Sequence, residues 1–355
     1  MSKEEIAVAT HSVAELEGML RQFGFALPLR GHSRLFGGYS GSNYRVEADD
    51  GALAVLKVCH GYAEPDVDAQ ARVMAYARAN GFAGACTALP RPPPAESYVG
   101  TAADGCPCCM LSWVDGKAAD KVIKAGARAE TVLGTVGDGL ARLHSVPVDA
   151  SAATTLRDFM AGGACDVRKQ LSGEFGDELT ASPRVADHPF LPFYARQLAE
   201  LRAAMGAPGL PRGLLHGDPF LDNILVSDAG DALCGFVDFE DGCVGPLLFD
   251  VGCCVGACCF GADDTLELGR LRALLAGYAR VRALAPAERA AFVGFVKLTL
   301  LCNCSWRFKN FHVDRPELLT PSTRCAHEEL QRRIEYLEQP DAVRAVQAVL
   351  AEIFG

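Results

Sequence analysis

Two tryptophans in 355 residues, fewer bases than acids, and no long apolar run: this chain is defined first by what it has little of. A membrane-spanning helix needs about 20 consecutive apolar residues, and no stretch comes near that, so no membrane role is expected. The start, MSKEEIAVATHSVAELEGML, carries acids where a secretion signal would carry bases and then an apolar block, which points to a cytoplasmic protein. With 34 Lys and Arg against 44 Asp and Glu, the formal charge is −10 and the pI about 5.3. Such a field disfavours nucleic acid and anionic lipid surfaces, though a local basic pocket can still hold a phosphate. The expected partner is a small molecule. No internal repeat suggests a solenoid, and no feature of the sequence fixes the oligomeric state.

Cysteine is the exception, with fifteen residues, several clustered as CPCC (Cys106, Cys108, Cys109), CC (Cys253, Cys254; Cys258, Cys259) and CNC (Cys302, Cys304). None of these clusters has the pair-to-pair spacing of a zinc ribbon or finger. Most flank apolar residues, so reduced thiols acting as small core hydrophobes are expected. A metal or redox sensor is the alternative.

Half of the chain is hydrophobic, enough for one large domain or two modest ones. Residues 12–23 put Val13, Leu16, Met19, Leu20 and Phe23 on one helical stripe, and Ser12 with Glu15 has the form of a capping box. Then SRLFGGYSGSNYRVEADDGALAVLKVCH reads as strand, glycine-rich turn, strand, Asp-Asp-Gly turn and a third strand ending near Lys57, hence an antiparallel sheet. A helix is expected over 68–80 with Gly81 as its stop, and a buried strand at 108–114 leads to the turn Asp115-Gly116. From about residue 120 helical periodicity dominates, interrupted by strand-like pieces at 224–227 and 233–239. The expectation is an α+β, bilobal chain: an N-terminal antiparallel-sheet lobe over 1–112, and a mainly helical lobe over 113–355.

Two acidic blocks stand out, HGDPFLDN at 216–223 and GFVDFED at 235–241. Carboxylates beside apolar runs are costly unless something positive sits among them, and a metal is the first suspect. Asp218 and Asn223 are spaced so that one loop aims a carboxylate and an amide oxygen into one cavity. That is the layout of a kinase catalytic loop, in which the acid accepts the proton of the attacking hydroxyl and the amide binds magnesium. Asp238, on the next strand, would bind the same Mg2+, an ion that takes oxygen ligands. The bland alternative is that these acids cap turns.

Upstream, the glycine-rich segment at 36–46 would let backbone N–H groups of Gly38, Ser40, Gly41, Ser42 and Asn43 approach a polyphosphate, although such hairpins are often only hairpins. Lys57, between apolar neighbours in AVLKV, needs an anion or an exit to water, and an ATP phosphate would serve. In a kinase such a lysine is held by a helix glutamate. Here the aligned helix position is Gln70, with Glu64, Asp66 and Asp68 nearby.

These residues in this order resemble the aminoglycoside phosphotransferase and choline kinase superfamily, which has the protein-kinase-like fold, and within it the homoserine kinase group. The resemblance rests on SVAELEGMLRQFGF, GSNYRV, LARLH, LPRGLLHGDPFLDNILV, GFVDFED and LFDVGCCVGACCF, nearly end to end. It implies Asp218 as catalytic base, Asn223 and Asp238 as magnesium ligands, Lys57 as phosphate lysine, and His216 and Asp250 as braces. Pro219 stands where that group usually has leucine, and Glu240-Asp241 where it tends to have an aromatic residue. Those two acids, with Trp306 and Arg307, are the candidate substrate contacts, toward an ammonium or a carboxylate. The implied activity is ATP- and Mg2+-dependent phosphorylation of a hydroxyl on a small amino acid or amino alcohol. A choline or ethanolamine kinase is the runner-up, and a nucleotide-binding pseudokinase the reading from another class.

Overall fold

The computed structural model describes residues 10–35, 41–95, 97–159, 173–205, 208–320 and 326–355. The first helix, α1 (Val13–Arg21), starts where the sequence marks it. Ser12 Oγ accepts the Glu15 N–H while Glu15 accepts the Ser12 N–H, the reciprocal capping box. Its stripe of Leu16, Met19 and Leu20 is buried with Phe23 in a small apolar core against one face of a sheet.

That sheet contains β1 (Leu29–Leu35), β2 (Gly41–Ala48), β3 (Leu53–Cys59), β4 (Ala88–Leu89), β5 (Gly100–Thr101) and β6 (Pro107–Ser112), in the order β1-β2-β3-β6-β4, with β5 also on β6. All pairings are antiparallel. Because side chains alternate along a strand, Tyr44, Val46, Ala54, Leu56 and Val58 join the α1 core. Lys57 and Cys59 lie on the opposite face, where Cys59 and Cys109 join the larger core with residues of α2 (Glu64–Ala79). Asn43 pairs with Lys57 across β2 and β3.

Beyond β6, short strands β7 (Lys117–Ala118), β9 (Ile224–Val226) and β10 (Leu233–Phe236) form one small sheet, and β8 (Arg212–Leu215) and β11 (Cys243–Pro246) form another. The rest is helical: α3 (Ala119–Lys124), α4 (Ala129–His144), α5 (Ala150–Thr155), α6 (Gly173–Ala181), α7 (Phe190–Met205), α8 (Leu248–Cys258), α9 (Leu268–Ala279), α10 (Pro286–Lys309), α11 (Glu328–Leu337) and α12 (Pro340–Phe354). α4 and α9 approach so closely at Gly137 and Gly277 that a Cβ on either would strike the other helix's backbone. An antiparallel sheet followed by a mainly helical region is the expected α+β architecture. No described helix is long and apolar enough to cross a membrane.

The two parts are stitched together at the end of α2. The Cys86 N–H donates to the Phe236 carbonyl at 3.0 Å, and the Phe236 N–H to the Gly84 carbonyl at 2.6 Å. This joint brings the chain leading into β4 against β10, which carries the second acidic block at its end. Eleven of the thirteen described cysteines are buried and all thirteen are free thiols, in keeping with the core-hydrophobe expectation.

Candidate active site

The loop after β8 is built on one buried carboxylate. Asp250, in the first turn of α8 and fully buried, accepts the His216 N–H at 2.7 Å and the Gly217 N–H at 2.9 Å. His144, at the end of α4, adds a third contact through Nε2 at 3.2 Å, its Nδ1 being 2.8 Å from the Tyr278 hydroxyl. Gly217 has φ +87°, and a Cβ there would collide with the Asp241 carbonyl. Only glycine lets the chain turn this tightly beside the second block.

His216 locks the next step. Its Nε2 donates to the Val237 carbonyl at 2.9 Å, and its Nδ1 accepts the Asp218 N–H at 3.2 Å. That pattern requires the neutral imidazole, and burial pushes its pKa below the ordinary histidine value. The ring packs on Phe239 at 4.4 Å between centroids. His216 thus braces the loop.

Asp218 is half-buried, held by an amide five residues on. Asn223, ending a single 3-10 turn (Leu221–Asn223), donates from Nδ2 to both the Asp218 carbonyl and its Oδ2, each at 3.0 Å. With the amide nitrogen turned to Asp218, the Asn223 oxygen is the atom left to serve as a ligand. Its backbone carbonyl accepts the Val237 N–H at 2.9 Å, which sets Asn223 next to Asp238. Asp238 lies two residues past the end of β10, not on the strand as expected, with φ +65°. That conformation is uncommon for a non-glycine residue. The chain leaves the strand here and turns the carboxylate toward Lys57.

Lys57 Nζ lies 2.8 Å from Asp238 Oδ1 and 2.5 Å from Glu240 Oε1. Burial opposes its charge, but the two carboxylates together hold the ammonium well above the ordinary lysine pKa. Glu240 also accepts the Tyr62 hydroxyl at 2.9 Å, and Arg157 donates to its backbone carbonyl at 3.1 Å. The positioning partner that the sequence left open is thus the segment after β10 and not α2. Gln70 is buried there with its Nε2 unbonded among the described residues, Asp68 pairs with Arg72, and Asp66 offers its carbonyl to Arg157.

The structure therefore brings Lys57, Asp238 and Glu240 into contact, and Asp218 and Asn223 into contact, with the Asn223–Val237 bond joining the two groups. Gly38 and Ser40 lie outside the described residues. Gly41 and Asn43 share the sheet face of Lys57, whereas Ser42 is buried on the other face with its hydroxyl 3.2 Å from His60 Nε2. Glu240, expected at the substrate end, has its carboxylate on Lys57 and Tyr62 instead. Asp241 lies against Gly217. Near the end of α10, Arg307 donates to the Ala326 carbonyl at 3.0 Å and sits 3.6 Å from Glu329, beside half-buried Trp306. Tyr62 and Arg157 had no sequence signal; His144 had one, as the last residue of LARLH.

A carboxylate tethered by an amide, with a buried lysine shared by two acids nearby, is the kind of arrangement that phosphotransfer can use. Residues 32–284 match the phosphotransferase enzyme family, and the chain belongs to that family. The homoserine kinase of Methylobacillus flagellatus is 27% identical over 301 residues, covering 82% of this chain and 83% of that protein. Among solved structures, an amicoumacin kinase in complex with AMP-PNP, Ca2+ and Ami superposes with TM-score 0.66 at 14% identity, over 90% of this chain and 93% of that one. A choline/ethanolamine kinase family protein from Mesorhizobium loti superposes with TM-score 0.61 at 19% identity, over 94% and 98%. The fold is the protein-kinase-like one. The chain is a small-molecule kinase, a phosphotransferase with an alcohol group as acceptor, and is homoserine-kinase-like within its superfamily.

Proposed function

We propose that this protein transfers the γ-phosphoryl group of ATP, with Mg2+, to the hydroxyl of a small amino acid or amino alcohol, with homoserine as the first candidate. The observation that carries the reading is the fixed Asp218: its Oδ2 and carbonyl are tied to Asn223, and its N–H to His216. The acceptor hydroxyl gives its proton to the Asp218 carboxylate as its oxygen attacks the γ-phosphorus. The bond to the bridging oxygen breaks and ADP leaves.

The oxygen donors of Asn223 and Asp238 suit magnesium, and the turn of the Asn223 amide nitrogen toward Asp218 favours its oxygen as a ligand. When bound, the ion neutralises charge on the phosphates. Lys57 turns its ammonium from Asp238 toward a phosphate, while Glu240, taking the place of the missing helix glutamate, keeps its contact and positions Lys57. Backbone N–H groups of Gly38, Ser40, Gly41, Ser42 and Asn43 cradle the polyphosphate. Residues 1–112 form the nucleotide-holding lobe and 113–355 the catalytic lobe. The thiol state of the described cysteines suits the cytoplasm.

The homoserine kinase relative favours an amino acid acceptor, and the choline/ethanolamine kinase neighbour makes amino alcohols the second choice. Coupled ADP production over a panel containing homoserine, choline and ethanolamine decides between them. With the best acceptor, Asp218→Asn lowers turnover by about 10²–10⁴-fold while nucleotide still raises the melting temperature. Full activity in that variant rules out the base assignment.

A further inference from the structure

The face of the sheet opposite Lys57 carries a second cluster of chemistry-bearing side chains. His60 follows β3 directly, and Asp104 and Cys106 belong to the turn joining β5 to β6, closed by the Ala102 N–H to the Cys106 carbonyl at 2.8 Å. His60 Nδ1 is 3.5 Å from Cys106 Sγ, and the Cys106 N–H donates to Asp104 Oδ1 at 3.0 Å. One ligand atom from each of the three residues lies within 4.8 Å of the other two. Behind them, the buried Ser42 hydroxyl meets His60 Nε2 at 3.2 Å. The His11 ring lies parallel to that of His60 at 6.4 Å, with its Nδ1 3.0 Å from the Tyr44 hydroxyl.

We propose that His60 Nδ1, Cys106 Sγ and an Asp104 carboxylate oxygen bind a borderline-soft dication, Zn2+ first among them, at a site on the opposite sheet face from Lys57. One imidazole nitrogen, one sulfur and one carboxylate oxygen form a donor set for zinc, whereas magnesium takes oxygen alone. Bonds of about 2.0–2.3 Å in a tetrahedron place ligand atoms roughly 3.5 Å apart. The His60–Cys106 separation already has that value, and the Asp104 oxygen, within 4.8 Å of both, would close the remaining gap on binding. Ser42 supplies the outer contact that zinc-bound histidines commonly have, fixing the tautomer by accepting the Nε2–H. On binding, the thiol proton leaves and an S–metal bond forms, releasing one H+ per ion. Three protein ligands leave a position for water. The ion would join the β5–β6 turn to the end of β3 and, through Ser42, to the start of β2.

The test uses the full-length protein, freed of metal with a chelator, kept reduced without added thiol, and titrated with Co2+ alone. One equivalent produces a thiolate-to-cobalt absorption band, and Zn2+ displaces it. Cys106→Ser removes the band, and Cys234→Ser, at the other described cysteine that is not fully buried, keeps it. Asp104→Asn, at an exposed position where folding is safe, weakens binding by about tenfold or more. A titration with no thiolate band overturns the proposal, as does a band that persists in folded Cys106→Ser. Should Cys106→Ser fail to fold, unchanged affinity in Asp104→Asn overturns it equally, since the cluster is then only hydrogen-bonded.

Discussion

Around the loop at 216–223 stand two sets of carboxylates with opposite ties. Asp250, behind, is held by two backbone N–H groups and a buried histidine. Asp238 and Glu240, in front, share the single ammonium of Lys57. Backbone amides cannot leave without unfolding the loop, whereas a lysine side chain swings away when a better anion arrives. In the function proposed above, the same functional group serves as frame where its partners are main chain, and as exchangeable contact where its partner is a side chain.

The sharpest way to break this contrast is to remove Asp250. Asp250→Ala strands two buried backbone donors, and the expected loss is about 3–5 kcal/mol of unfolding free energy, measured by chemical denaturation. A loss below about 1 kcal/mol would mean that Asp250 is no more a frame than its counterparts. Asp238→Asn sits on the other side of the comparison. Turnover there falls by about 10²–10³-fold, while stability falls far less than in Asp250→Ala, because Glu240 still pairs with Lys57. A variant that unfolds instead would place Asp238 with the frame. Glu240→Gln is milder: it loosens Lys57 and raises the KM for ATP by about tenfold, or about 1.4 kcal/mol, with kcat little changed. If only the acceptor KM moves, Glu240 belongs to the substrate end.

How much of this was legible follows from the distance over which each feature is encoded. The α1 cap, the Asp49-Asp50-Gly51 hairpin turn and the pairing of β2 with β3 are local, and each was readable from a few residues. Asp218, Asn223, Asp238 and Lys57 stood out because motif spacing is local too. Helix α8 did not: all but one of its residues are buried, so the 3.6-residue contrast between apolar and polar positions is erased. The partner of Lys57 was missed for another reason. Residues 57 and 240 meet only through the fold, and the sequence pointed instead to α2, where Gln70 offers no charge. Asp238 was placed on a strand because LCGFVDF alternates like one. The backbone departs after Phe236 to reach the left-handed conformation, which hydrophobic patterning does not encode.

The smallest expected effect sharpens the comparison from the frame side. His216 is neutral because its Nε2–H is given to Val237 and its Nδ1 faces the Asp218 N–H, so a second proton has nowhere to go without breaking the loop. Burial first, against a weaker opposing pull from Asp250, sets its folded pKa below the ordinary value of 6.5. As pH falls through that value the unfolded chain takes up the proton before the folded one does. Stability from this residue is therefore complete above about pH 6.5 and declines below it, until the folded pKa is reached. For one proton the slope is at most about 1.4 kcal/mol per pH unit. Denaturation midpoints between about pH 7.5 and 5.5 read it directly. His188 carries a depression of the same sign, from burial and then His312, so the wild-type curve contains both. The His216→Asn difference isolates the loop's share: its curve is flatter than wild type whatever its absolute stability. An unchanged slope would show that the loop admits the proton, and that the frame behind Asp218 is looser than its hydrogen bonds imply.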